Sequence, residues 1–247
     1  QKQKTATKPW QQGPLKLWAP ELYYMNNRWI LVHTSNMGIG NLVMTAADLF
    51  KAPFQNWGAE FGRRHDPALF MQEDGTPWLI YGATSIIKIK KDFSGYAGDP
   101  IEIWPSNRKI GHEGSHIIKI RDKYVLFGTA WSTDNMRHGT YNLYYCTSDS
   151  ITGPYNERKF AGRFLGHGTL FQDKQGRWWC TAFYNADEPV LSSAEALSRD
   201  LSDSAYTINK QGLTLVPMQI KMQDGDVRVR AKDPAYAAPG PEEVQEF

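Results

Sequence analysis

The sequence predicts an all-β protein of the β-propeller class, and three observations predict it. First, one short pattern recurs four times: Trp18-Ala-Pro-Glu-Leu-Tyr-Tyr, His65-Asp-Pro-Ala-Leu-Phe, His112-Glu-Gly-Ser-His-Ile-Ile and Gly166-His-Gly-Thr-Leu-Phe. Counted on Ala19, Asp66, Glu113 and His167, the steps are 47, 47 and 54 residues. A period in that range is the signature of one propeller blade per repeat. Second, each pattern is followed, after a short polar turn, by an aromatic-led apolar run: Trp29-Ile-Leu-Val, Trp78-Leu-Ile-Tyr, Tyr124-Val-Leu-Phe and Trp178-Trp-Cys-Thr-Ala-Phe. Third, helical periodicity is sparse. In such a fold the innermost strands converge on a central axis. Their heads, here two carboxylates and a histidine, are therefore expected to face one pocket.

Each element follows from local pattern. Residues 1–17 are Lys-rich and read as a solvated arm. In every repeat the head opens the innermost strand and the aromatic-led run forms the second. The connecting turns carry suitable chemistry at Asn26-Asn27, Asp74-Gly75, Arg121-Asp122 and Gln175-Gly176. Alternation and aromatic or β-branched content predict third strands at Asn41–Asp48, Ser85–Asp92, Tyr141–Asp149 and Val190–Glu195. Leu191–Asp200 also has the composition of a helical turn or two, with Ser192 or Ser193 as its cap. Residues 212–232 read as a hairpin closed by Asp224-Gly225. Residues 234–247, rich in Ala, Pro and Glu, read as an irregular tail. The expected organisation is a single propeller domain over 1–247, with four blades readable.

Composition narrows the class. Hydrophobic residues make up 41% of the 247, and no apolar run approaches the ~18 residues needed to span a bilayer. The 28 basic and 26 acidic residues are spread along the chain for a net charge of +2. No basic stripe is present to track phosphates, so neither nucleic acid nor membrane is the expected partner. Aromatics reach 13%; most would pack between blades, leaving a minority to stack on a sugar ring. Cys146 and Cys180 lie in different repeats without metal-ligand spacing and read as buried free thiols. A secreted or periplasmic location fits this composition. The sequence opens on Gln1 rather than Met, as expected of a processed chain or one whose beginning lies upstream.

At these residues the chain resembles glycoside hydrolase family 43, five-bladed propeller enzymes acting on arabinosides, xylosides and related glycans. Trp18-Ala-Pro-Glu is similar to that family's second-blade opening. His65-Asp66-Pro67 with the Asp74-Gly75 turn is similar to its third. Glu113-Gly114 resembles its fourth, with Ser115 where proline is usual, and Gly166-His167-Gly168 its fifth. The resemblance covers roughly residues 18–185. It implies that Glu113 is the general acid and Asp66 the carboxylate that orients and tunes it. Inverting hydrolysis needs a protonated carboxyl for the leaving oxygen, and a second carboxylate to activate water. A negative charge close to an acid holds its proton on near neutrality. Trp18, Phe70 and Trp131 are candidate sugar platforms, Trp131 foremost because it is expected to end an inner strand beside the polar loop Ser132-Thr-Asp-Asn. The resemblance further implies His167 on the axis as a pocket contact and an arginine from the closing blade. Arg228 and Arg230 alternate on one strand, which sets one on each side. No cofactor is required, although a structural calcium ion on the axis beside His167 is implied. The partner is an oligo- or polysaccharide.

Structural roles stand beside these. Asp66 before a proline could stabilise a turn, His167 could be an inter-blade histidine, and Trp57, like the other large aromatics, could be core. A strand-head carboxylate such as Glu113 is costly without a use. The family's first-blade aspartate, its general base, has no counterpart in the sequence, and neither Glu21 nor Glu60 falls at its position. Either a first blade precedes Gln1, or another chain supplies it, or the protein binds glycans without cleaving them. A scaffold propeller is the remaining alternative, and axial carboxylates serve no purpose in it.

Overall fold

The structure, a computed structural model, describes residues 17–35, 44–46, 48, 51, 55–56, 61, 64–182, 193–198, 203–207 and 213–247. Residues 1–16 of the arm expected over 1–17, and Trp57 and Glu60, lie outside the described residues, while Leu17 opens the first strand rather than ending an arm. The chain divides into two units, Gln1–Ile101 and Glu102–Phe247. No described helix is long and apolar enough to cross a membrane.

The first unit carries two antiparallel sheets. Strands β1 (Leu17–Met25), β2 (Arg28–Ser35), β3 (Met44–Ala46) and β4 (Gln55–Asn56) pair in sequence order. Strands β5 (Ala68–Met71), β6 (Pro77–Tyr81), β7 (Ser85–Lys88) and β8 (Ile101–Glu102), the last at the unit boundary, do the same. Asn26 and Asn27 both adopt positive φ, 52° and 60°, the two-residue turn that matches the twist of a hairpin. Side chains from both sheets, among them Ile30, Val32, Leu69, Leu79 and Ile87, close one core together with Phe93 from the turn after β7. Burying each such side chain contributes roughly 1.5–3 kcal/mol.

The second unit repeats the plan. Strands β9 (Glu113–Ile120), β10 (Lys123–Trp131), β11 (Tyr141–Ser148) and β12 (Lys159–Gly162) form one sheet. The next elements are β13 (Leu170–Gln172), β14 (Trp178–Ala182), helix α1 (Ser193–Ser198), β15 (Tyr206–Thr207), β16 (Thr214–Gln223) and β17 (Asp226–Ala231). In that sheet the order is β13-β14-β16-β15, with β17 also on β16. Val125, Phe127, Leu143 and Tyr145 of the first sheet meet Leu170, Cys180, Val216 and Val229 of the second in one core. Both cysteines are buried free thiols, as expected.

Three expectations need correction. The third strand of the last sheet is β16, not Val190–Glu195, whose described part, Ser193–Glu195, opens α1. Ala and Glu favour helix there, whereas Thr214-Leu-Val-Pro-Met supplies the residues that pair with β14. Arg228 and Arg230 do not face opposite sides. Residues two apart share a face of a strand, and both arginines are exposed while Val227, Val229 and Ala231 are buried. The C-terminal tail, irregular beyond the turn of α2 (Pro234–Ala237), is nonetheless packed. Asp233 caps α2, Tyr236 is buried, Tyr144 donates to Glu243, and buried Arg158 donates to Gln245 at 2.8 Å. Phe247 lies on Tyr144 and Phe160.

Candidate active site

The innermost strands share a backbone feature at their heads. Ala19, Asp66, Gly114 and His167 take left-handed φ values of 46°, 45°, 65° and 60°. In β1 the register skips one residue between Trp18 and Glu21. In β9 the same skip separates Glu113 from His116. A bulge of this kind re-aims the side chains beside it. The structural repeat therefore steps by 47, 48 and 53 residues, and Glu113 sits one residue ahead of the position held by Asp66.

In the first unit, Asp66 is buried, with 6% of its side chain exposed, and its carboxylate is 3.2 Å from His65 Nε2. Its amide donates to Thr34 Oγ1 at 3.0 Å, and the same hydroxyl donates to Arg64 O at 2.8 Å. The Arg64 guanidinium lies over the rings of Tyr81 and Tyr96. Trp18, paired with Thr34 across β1 and β2, is 37% exposed, leaving ring surface for a ligand. Phe70 is half-buried in β5. Glu21 accepts from Tyr23 at 2.7 Å. Burial, then the charge of Glu21, pushes the Tyr23 phenol well above its ordinary value.

In the second unit, Glu113 opens β9 with a third of its side chain exposed. Tyr141, first residue of β11, donates its hydroxyl to Glu113 Oε1, and His167 Nδ1 stands 3.9 Å from the same oxygen. The glycines of both motifs are needed here. A Cβ on Gly114 would come within 2.7 Å of His167 Cδ2, at a φ that disfavours side chains. A Cβ on Gly166 would strike the Tyr141 ring. Trp131, paired with Tyr141 across the sheet, lies against its ring at 4.7 Å between centroids. It closes β10, the second strand of its sheet rather than an inner one. His167 is set by its amide, which donates to Thr129 Oγ1 at 2.8 Å.

Among the predicted site residues of this unit, Glu113, His167 and Trp131 thus gather around Tyr141. Arg228 and Arg230 do not join them: β17 lies across β16 and β14 from β13, and Arg230 donates to Gln219 on the neighbouring strand at 3.0 Å. Calcium draws six to eight oxygens. His167 offers nitrogen, with Glu113 Oε1 3.9 Å away; a nitrogen and a single carboxylate do not by themselves fit that ion.

Sequence reasoning missed Tyr141 and the two threonines. Tyr141 carried a signal, as the first residue of the predicted third strand. The threonines carried one too, each standing five residues after its strand-leading aromatic, Trp29 to Thr34 and Tyr124 to Thr129.

Residues 2–221 match the model of glycosyl hydrolases family 43. Among curated proteins, the chain is 23% identical over 178 residues to extracellular endo-α-(1→5)-L-arabinanase 1 of Bacillus subtilis, covering 65% of this chain and 55% of that protein. It is 26% identical over 136 residues to the β-D-galactofuranosidase xynD of Aspergillus niger, covering 50% and 38%. A solved structure of a bifunctional GH43-CE protein of Bacteroides eggerthii superposes with a TM-score of 0.63 at 24% identity, over 90% of this chain and 27% of that one. The chain thus spans about half or less of the length of these proteins. The structural likeness establishes the propeller fold.

Proposed function

We propose that this chain, which belongs to glycosyl hydrolases family 43, hydrolyses glycosidic bonds of the arabinoside, xyloside or galactoside type in plant or gut polysaccharides. The likeness to an arabinanase and a galactofuranosidase supports that substrate range. The observation that carries the reading is Glu113: a carboxyl at a kinked strand head, open enough to meet a ligand, with one oxygen held by Tyr141.

We assign Glu113 the general acid, which protonates the leaving oxygen, and Asp66 the carboxylate that orients and tunes it. The mechanism is inverting: a carboxylate base roughly 6.5–9.5 Å from the acid draws a proton from water on the opposite face of the sugar. That base is assigned to none of the described residues. Trp18, Phe70 and Trp131 offer rings for stacking on the sugar, and His167 a polar contact. Five blades is our count for the complete propeller, four of them being the sheets above. No cofactor enters the reaction. The extracellular relative supports a secreted or periplasmic location.

The test is a panel of para-nitrophenyl α-L-arabinofuranoside, β-D-xyloside and β-D-galactofuranoside. Turnover of the panel by the wild type is expected, and Glu113→Gln is expected to lose turnover of the matching methyl glycoside or disaccharide, whose leaving oxygen needs the acid. Oligosaccharide binding without turnover by the wild type overturns the hydrolase in favour of a glycan-binding propeller.

A further inference from the structure

We infer that Tyr141 is a positioning residue that gives the two oxygens of Glu113 different duties. The inference rests on the hydrolase reading above and adds which atom delivers the proton. Tyr141 donates its O–H to Oε1. An oxygen accepting a hydrogen bond from a phenol is the poorer place for the acid's own proton, because that bond favours negative charge where it lands. The transferable proton is thereby directed to Oε2. When the glycosidic C–O bond breaks, its electron pair stays with the leaving oxygen. The Oε2 proton goes to that oxygen, water forms the new bond to the anomeric carbon, and the proton lost by water goes to the carboxylate base. Glu113 is left as a carboxylate whose Oε1 already has its donor.

The surroundings of Tyr141 fix where that donor stands. Its ring lies against Trp131 on one β-ladder. Gly166, whose amide donates to Tyr141 O at 2.9 Å, leaves the other approach free for the ring. The hydroxyl therefore cannot swing away without disturbing the Gly166-His167-Gly168 segment. A tyrosine used only for packing would need its ring here but not its oxygen.

The substitution Tyr141→Phe keeps the ring and removes the oxygen. It is to be assayed with two substrate series built on whichever sugar the wild type accepts. Para-nitrophenyl glycosides leave without protonation, while methyl glycosides or the matching disaccharide depend on the acid. We expect kcat on the nitrophenyl series to stay within about twofold, and kcat on the acid-dependent series to fall about 10- to 100-fold, part of the 10²–10⁴ typical of general acid catalysis. KM should change little in either. The ratio of the two losses is independent of how much of a preparation is folded, so a poorly folding variant still gives an answer. Equal losses on both series, or no loss on either, would overturn the assignment while leaving the hydrolase reading intact. A wild type inert toward every glycoside overturns that reading first, and this one with it.

Discussion

The head of β5 and the head of β9 solve the same backbone problem and arrive at opposite side-chain environments. Each head carries a left-handed residue, Asp66 just before β5 in the first unit and Gly114 just inside β9 in the second. At β5 the kinked residue is itself the carboxylate, which is turned inward, with its amide on Thr34 and its side chain beside His65. At β9 the kink falls on glycine, and the carboxylate one position earlier stays a third exposed under the Tyr141 hydroxyl. A buried carboxylate suits a fixed electrostatic task, since its surroundings cannot relax around it. An accessible one can reach a substrate and exchange a proton. One residue of offset in a bulge separates these two chemistries.

The strongest way to break this contrast is to neutralise each carboxylate in turn. Glu113→Gln should lower kcat on substrates with poor leaving groups by about 10³–10⁴, near the upper end for lost proton transfer. Asp66→Asn should cost less, about 10²-fold on the same scale, because an orienting group acts only through the acid. Steady-state kinetics on the disaccharide substrate ranks the two. If Asp66→Asn proved the more damaging, the assignment of acid and tuner would have to be exchanged.

Much of this contrast was legible before the structure, and the illegible part has a physical cause. The repeat placed all four inner strands within a few residues, because alternation and turn chemistry are local properties: Asn26-Asn27 and Asp224-Gly225 do adopt the positive φ values their residue types favour. The bulge offset was invisible, since Asp66 and Glu113 look equivalent until the register of each ladder is known. Tyr141 was missed for the same reason: it reaches Glu113 across a sheet, 28 positions along the chain. β16 lies further still from β14 in sequence, beyond α1, and a locally helix-forming segment displaced the strand expected at Val190–Glu195. The arginines needed only the period of a strand applied with care.

The threonine supports sharpen the comparison on the stability side. Thr34 serves two groups, donating to Arg64 O and accepting from the Asp66 amide. Thr129, fully buried, accepts through its hydroxyl from the His167 amide. Replacing either by valine preserves shape and strands its partners. Leaving a buried polar group unmet costs about 1–3 kcal/mol, so Thr129→Val should lose about that much in urea unfolding. Thr34→Val, stranding two groups, should lose about 2–6 kcal/mol on the same basis. Equal losses would mean that the second bond of Thr34 contributes nothing net.

The smallest expected effect sets two equivalent turns against each other. Between β5 and β6, Gln72 Oε1 accepts from the Trp78 indole at 2.8 Å. Between β13 and β14, the same place is taken by Asp173, whose Oδ2 accepts from the Trp179 indole at 2.9 Å and from Arg177 Nε at 2.7 Å. The neutral amide cannot titrate in this range and the carboxylate can. Burial pushes Asp173 up, but the bonds from Trp179, Arg177 and the Gln175 amide outweigh it and hold the group at about 2, against an ordinary 3.8. A carboxylate depressed in the folded state contributes stability that is complete above its unfolded value and is lost as pH falls through the folded one. The window is therefore pH 4 down to 2. Asp173→Asn should lower the urea midpoint at pH 7, and the gap to wild type should narrow as the pH drops through that window. Residual acid sensitivity will remain in the variant, because the hydrogen bonds of Thr76 hold Asp74, in the β5–β6 turn, below the usual carboxylate range as well. A gap that stayed constant from pH 7 to 2 would show that the ionised form of Asp173 is no better held by its turn than the neutral amide of Gln72 is by its own.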